Sequence, residues 1–323
     1  MTGGGNGMFS GTKAFMAQLI DYAGLFPPAA LPLESAIHNY ASYQSGQDAW
    51  MLGKFVVAAT QLPELNAYMH LFNAGRPLPL SVVIGRSRDA EQTMNLLQDG
   101  LQQIHKLRLA QGAAIHIGML ELPLPPVAID RSLLANIAST ADAAGLQLFC
   151  EMTCPLYDKW EAGIRKALDE IAVFNASGHL QLGVKLRTGG VAADAFPTPG
   201  QVAVFLAECR DRGLAMKFTA GLHHPVRMYR EEVQTQMHGF LNVFIAGLLA
   251  HAHHLNVVEI ERIIADENPD SFFFSEAEVG WRELPVSAGL VEKLRGRVLC
   301  AYGSCSFDEP REELRDLYPF EQR

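Results

Sequence analysis

Leu182-Gly-Val-Lys-Leu-Arg-Thr-Gly-Gly190 and Ala215-Met-Lys-Phe-Thr-Ala-Gly-Leu-His-His224 each set a lysine inside an apolar run that closes on threonine and glycine. The two lysines, Lys185 and Lys217, stand 32 residues apart. Side chains of a strand alternate between its two faces. If both runs are strands of a parallel barrel wrapped in helices, Val184, Leu186, Met216 and Phe218 face the helices. Lys185, Arg187, Lys217 and Thr219 then face the barrel axis. Neighbouring strands lie about 4.8 Å apart, so the two ammonium groups would share one interior. Repulsion and desolvation predict that at least one becomes a neutral amine, and a neutral lysine amine attacks carbonyl carbon.

Outward from these segments, short β-type runs alternate with amphipathic stretches of helix length, the pattern of parallel βαβ units. Eight strands are expected, over Leu19–Phe26, Lys54–Thr60, Leu80–Gly85, Ala114–Leu120, Leu146–Met152, Leu182–Thr188, Ala215–Thr219 and Gly239–Asn242. Helices are expected over Glu34–Gln44, Asp89–Leu109, Arg131–Ala144, Asp158–Ala176 and Thr198–Arg212, the last with Thr198 as N-cap and Pro199 in its first turn. The first βα turn, Gly24-Leu-Phe-Pro-Pro28, is not the glycine-rich fingerprint of an open doubly wound sheet. The fold class is therefore α/β, a (β/α)8 TIM barrel with a C-terminal extension. We expect residues 1–10 to be a disordered start, 11–254 the barrel, and 255–323 a helical and loop-rich extension packed on it.

The 323 residues are 49% hydrophobic and 19% charged, enough apolar material for a folded core. A net charge of −9 without a basic run argues against nucleic acid or a membrane as partner. The longest apolar stretch, Phe240 to His251, is short of the roughly 20 residues that span a bilayer. Five cysteines, an odd number, suit a reducing compartment, and the expected location is cytoplasmic.

Barrel chemistry collects where strands end. The polar residues at those ends are Asp21, Glu121, Glu151, Thr153, Lys185, Arg187, Thr188, Lys217, Thr219, His223, His224 and Asn242. The runs Phe149-Cys-Glu-Met-Thr153, Val184-Lys-Leu-Arg-Thr-Gly189 and Met216-Lys-Phe-Thr-Ala-Gly-Leu222 resemble, in order and spacing, strands five to seven of the deoxyribose-phosphate aldolase family. Ile20-Asp-Tyr-Ala-Gly-Leu25 is similar to that family's strand-one aspartate motif. The resemblance implies a class I aldolase with Lys185 forming the Schiff base, Lys217 tuning it, Glu121 relaying protons, and Glu151 and Asp21 completing the catalytic set. Substrate would be held by Arg187, Thr188, Thr219, His223, His224 and Asn242.

Departures from the family point to a different substrate. Arg187 stands where the family has a small hydroxyl residue. The turns that bind phosphate in the family read Ala220-Gly-Leu-His-His-Pro-Val-Arg227 and Leu241-Asn-Val-Phe244 here. A small anionic carbonyl compound with a carboxylate fits Arg187. The expected enzyme is a Schiff-base carbon–carbon lyase, which needs no metal and no cofactor. Three other readings stand beside it: a buried ionic network without chemistry, a metal-dependent hydrolase using His223, His224, His251 or His254 with Glu151, and a non-catalytic binding or assembly barrel. The aromatic run Ser271-Phe-Phe-Phe-Ser275 is the candidate contact for a homo-oligomer. Cys150 with Cys154, and Cys300 with Cys305, have spacings that allow zinc, and Tyr302, Ser304 and Cys305 form a segment that could fold over the barrel mouth.

Overall fold

A computed structural model describes residues 10–318 except 128, 154, 155, 157, 158 and 179. The expected disordered start lies outside these residues up to position 9, while Ser10 begins helix α1, Ser10–Met16. The Cys150–Cys154 spacing also falls partly outside them.

Eight parallel strands close into a barrel. They are β1 Ile20–Tyr22, β2 Leu52–Ala58, β3 Leu78–Val83, β4 Ile115–Pro123, β5 Gln147–Glu151, β6 Gly183–Arg187, β7 Met216–Thr219 and β8 Leu299–Ser304. Each pairs with its neighbour in chain order, and β8 pairs with both β7 and β1. Helices α2 Leu33–Tyr43, α3 Ala90–Gln111, α4 Arg131–Ala143, α5 Trp160–Ala176 and α6 Pro199–Asp211 fall within a few residues of the expected spans. Their starts are fixed locally. Asp89 accepts from the Gln92 N–H at 2.8 Å, Asp130 from Leu133 at 2.8 Å, and Thr198 closes a capping box with Gln201.

The alternation read from the lysine segments is realised. Lys185 lies directly across from Lys217 in the β6–β7 ladder. Phe218 on the outer face meets Phe205 of α6 edge-on at 6.1 Å. Its ring also meets Phe244 at 5.3 Å.

The eighth strand is a correction. Gly239–Asn242 does not join the sheet; it leads into helix α7, Phe240–His253, of which every residue from Phe240 to Ala250 is buried. An apolar run of this length is ambiguous by pattern, and a helix lets it satisfy its own backbone while packing on all sides. The barrel consequently does not end at residue 254. The chain leaves β7, forms α7 and α8 (Val257–Ile264), then a small antiparallel sheet of Phe272–Phe274, Glu278–Trp281 and Leu284–Ser287, and α9 (Ala288–Arg295), before returning as β8. Of the aromatic run, Phe272 is buried, and Phe274 meets Phe15 of α1 edge-on at 5.6 Å. Helix α10, Asp308–Leu317, follows β8. Among the described residues no helix is long and apolar enough to cross a membrane.

Where α9 turns into β8, the buried Arg295 guanidinium gathers the chain. It donates to the carbonyls of Phe15 at 2.9 Å and Ala17 at 3.1 Å, and to those of Leu299 and Cys300. It also sits 5.4 Å from the Phe244 ring centroid. Burial lowers its pKa to about 10, which leaves it charged at neutral pH.

Candidate active site

Charges of alternating sign cross the barrel interior. Asp21 on β1 accepts from Lys217 at 2.6 Å, and Lys217 also donates to Glu121 on β4 at 2.7 Å. Glu121 pairs with Lys185, which reaches Glu151 on β5 at 2.9 Å. Arg86 and Arg187 approach Glu151 at 3.4 and 3.7 Å. Ser81 on β3 donates to Glu121 at 2.7 Å, and the backbone N–H of Lys54 donates to Asp21 at 2.6 Å. The residue before Lys54 must be glycine: a Cβ on Gly53 would stand 2.2 Å from the Asp21 carboxylate.

This arrangement overturns the expectation of a neutral amine. Lys185 and Lys217 are 4% and 1% exposed, and burial alone would lower both pKa values. The facing carboxylates outweigh it: Glu121 and Glu151 raise Lys185, and Asp21 and Glu121 raise Lys217. Burial likewise works to raise Glu121 and Glu151, yet the lysines hold both below the usual carboxylate range. Repulsion between the adjacent lysines neutralises neither, because acids from three other strands stand between and beside them.

The contribution of this network to stability should therefore show a broad plateau with two limbs. Glu121 and Glu151 have depressed folded pKa values, so their contribution is complete above the unfolded value of 4.5 and is lost as pH falls through the folded values. Lys185 and Lys217 are raised, so theirs is complete below 10.5 and is lost as pH rises through the folded values. The difference in urea midpoint between the wild type and Lys217→Met, measured from pH 2 to 12, should stay flat between these limbs; a difference confined to neutral pH would contradict the charged network.

Above the network, at the C-terminal ends of the strands, lies a cavity of about 770 Å3. Lys185, Glu151, Arg187, Thr219 and His223 line it, as do Arg86 and Cys305. Lys217, Glu121 and Asp21 lie beneath its lining, within the network. His223 is held by Glu309 of α10 at 3.4 Å, with the Cys305 sulfur 3.7 Å from Nδ1. Burial works to lower the His223 pKa, but Cys305 and Glu309 raise it to about 9, so the ring is protonated at neutral pH. The expected segment over the mouth is not one: Tyr302 and Ser304 belong to β8 itself, and of the three only Cys305, just past the strand, lines the cavity.

Three sequence candidates serve the fold instead of the cavity. The Thr188 hydroxyl donates to the Ala220 carbonyl at 2.6 Å, fixing the turn after β7. There Ala220 and Gly221 both have positive φ, 62° and 75°, and Gly221 packs so close that a Cβ would lie 2.9 Å from the Gly189 Cα. Asn242, in a helix, accepts from the Arg227 N–H at 2.8 Å and donates to the carbonyls of Ile263 and Asp266 at 2.8 and 2.7 Å. His224 meets Glu313 at 2.8 Å. Metal-ligand atoms of His224, Glu309 and Glu313 lie within 4.8 Å of one another, whereas the expected grouping with Glu151 does not form among the described residues.

Arg86 is the principal residue missed. It follows β3 as Glu151 closes β5, so the strand-end rule covered it, but the expected strand stopped at Gly85.

No family model matches the chain, and no curated protein matches it. Among solved structures it is similar to human mitochondrial enolase superfamily member 1, with a TM-score of 0.42, 10% identity, and coverage of 96% of this chain and 59% of that one. It is also similar to the CcCel6A catalytic domain complexed with p-nitrophenyl beta-D-cellotrioside, with a TM-score of 0.23, 13% identity, and coverage of 70% and 62%. The chain thus spans about three fifths of the length of each of these proteins.

Proposed function

We propose that this protein is an aldolase-like carbon–carbon lyase that forms a Schiff base through Lys185 with a small anionic carbonyl compound. The observation that carries the reading is a lysine at the cavity lining whose ammonium lies between two carboxylates, Glu121 and Glu151, able to take its proton. Resting Lys185 is charged, so binding must release the amine. A substrate anion drawn to Arg86 and Arg187 competes with their contacts to Glu151, and a Glu151 relieved of those cations becomes the better base for the Lys185 proton.

The freed amine adds to the carbonyl carbon as the π electrons move to oxygen, and the oxygen takes a proton from the His223 imidazolium. Loss of water gives the iminium. That iminium accepts the electron pair of the neighbouring carbon–carbon bond while a carboxylate takes the proton of the departing hydroxyl. Protonation of the enamine and hydrolysis of the new iminium return the lysine. Lys217, fixed between Asp21 and Glu121, orients Glu121 and keeps it ionised.

Borohydride trapping with intact-mass and peptide analysis tests this. Incubation with small aldehydes and 2-oxo acids should leave a reduced adduct on Lys185 of the wild type and none in Lys185→Met. A panel giving no adduct, or adducts spread over surface lysines equally in both proteins, would refute it.

A second reading rests on His224, Glu309 and Glu313, a ligand set for a divalent metal beside the cavity. Stoichiometric metal in the purified protein, lost in Glu313→Gln, would support a metal-dependent hydrolase instead.

A further inference from the structure

The cavity is divided by strand. Arg86 after β3 and the ends of β5 to β8 give it a charged and polar side, and the ends of β1 to β3 with α3 give it a mainly apolar one, interrupted by Thr60, Asp99 and Gln103. Phe26, Val56, Ile84 and Leu96 belong to the apolar side, where Val56 and Ile84 are buried and Phe26 and Leu96 half-buried. On the polar side, Arg86 and Arg187 reach the same oxygen of Glu151, Oε1, at long range. Their side chains remain 64% and 43% exposed. Each guanidinium has five N–H donors, so most of the donors at this point are available to another anion. Lys185 and protonated His223 add positive charge, against Glu151 and, on the α3 rim, Asp99.

We infer that the cavity takes a carboxylate joined to a sizeable apolar body, so that the substrate is an aryl- or alkyl-substituted oxo acid whose single hydroxyl, β to the carbonyl, leaves as the aldehyde of the cleaved fragment, rather than a sugar phosphate. The carboxylate lies against Arg86 and Arg187, the carbonyl points to Lys185, and the apolar body covers Ile84 and Leu96. A polyhydroxylated chain would set most of its hydroxyls against apolar side chains, with only Thr60, Asp99 and Gln103 on that side to receive them, at a desolvation cost. A ligand the size of acetate would leave that wall wet, losing the gain from burying apolar surface. The volume suits a molecule larger than a three-carbon acid. This assignment rests on the Schiff-base reading only for the carbonyl; the anion and apolar subsites stand without it.

The test therefore uses ligands that cannot form an iminium. Isothermal calorimetry on the wild type should show phenylacetate and hexanoate binding on the order of 30-fold more tightly than acetate. Glycerol 3-phosphate and benzyl alcohol should bind no better than acetate. Leu96→Asn, which adds no charge, should remove most of the phenylacetate advantage over acetate, and Arg86→Ala should weaken every carboxylate. Equal affinities for acetate and phenylacetate, or tighter binding of the phosphate ester, would overturn the assignment. So would an unaltered preference in a folded Leu96→Asn protein. Because these ligands lack a reactive carbonyl, failure here and failure of borohydride trapping are separate results.

Discussion

Lys217→Met is expected to lower the unfolding free energy by about 3–5 kcal/mol, the usual cost of removing one partner from a buried ion pair. The substitution leaves Asp21, which is fully buried, facing a thioether in place of an ammonium. Glu121 keeps Lys185, so the damage should concentrate at Asp21. That gives the prediction a second arm. Asp21→Leu combined with Lys217→Met should be more stable than Lys217→Met alone, because the unpaired charge is gone. Urea unfolding of the four proteins of the cycle, each with intact circular dichroism, measures the coupling. A loss below about 1 kcal/mol in the single variant would mean that the ammonium is not held as described.

Arg295→Met should be of similar size, on the order of 3–5 kcal/mol, although among the described residues no carboxylate pairs directly with Arg295 and Asp21 acts on it only through its charge. Its guanidinium serves four carbonyls, two in the segment entering β1 and two in β8. Methionine conserves much of the volume beside Phe244 but donates nothing, so the carbonyls lose a charge-assisted partner. Arg295→Lys should recover only part of the loss, since one ammonium cannot spread over four acceptors in the plane of a guanidinium. Hydrogen exchange gives the more specific readout: protection should fall first in β1 and β8. Uniform loss throughout the barrel would show that Arg295 supports the core generally and not this seam.

Much of the barrel is legible from local chemistry. Seven strands announce themselves through β-branched or apolar runs ending in glycine or a polar residue, and five helices through periodicity and caps such as Thr198. The lysine register was readable because alternation leaves Lys185 and Lys217 nowhere to point but inward. The eighth strand was not readable. Leu299-Cys-Ala-Tyr-Gly-Ser304 is short and rich in turn-type residues, while the more apolar Phe240–Ala250 attracted the assignment. Period alone could not separate a buried helix from a buried strand there. The site divides in the same way. That acids and lysines share the interior follows from strand-end composition. Which acid faces which lysine depends on tilt and register across five strands, and that decides their charge. Asn242 and His224 were drawn in by an incorrect last strand and by adjacency to His223. Arg86 and the apolar wall were passed over because each contribution is a single residue at a strand end.

The late position of β8 governs how this molecule can be made. Ile20 finds its partner at Tyr302. A nascent chain must therefore emerge from the ribosome as far as residue 304 before β1 is flanked on both sides. Until then β1 and β7 are open edges able to recruit a strand from another chain. Loop-closure entropy grows only slowly with length, so the long excursion between β7 and β8 adds little to the equilibrium cost. Its burden falls on timing: the ring waits for its last stave.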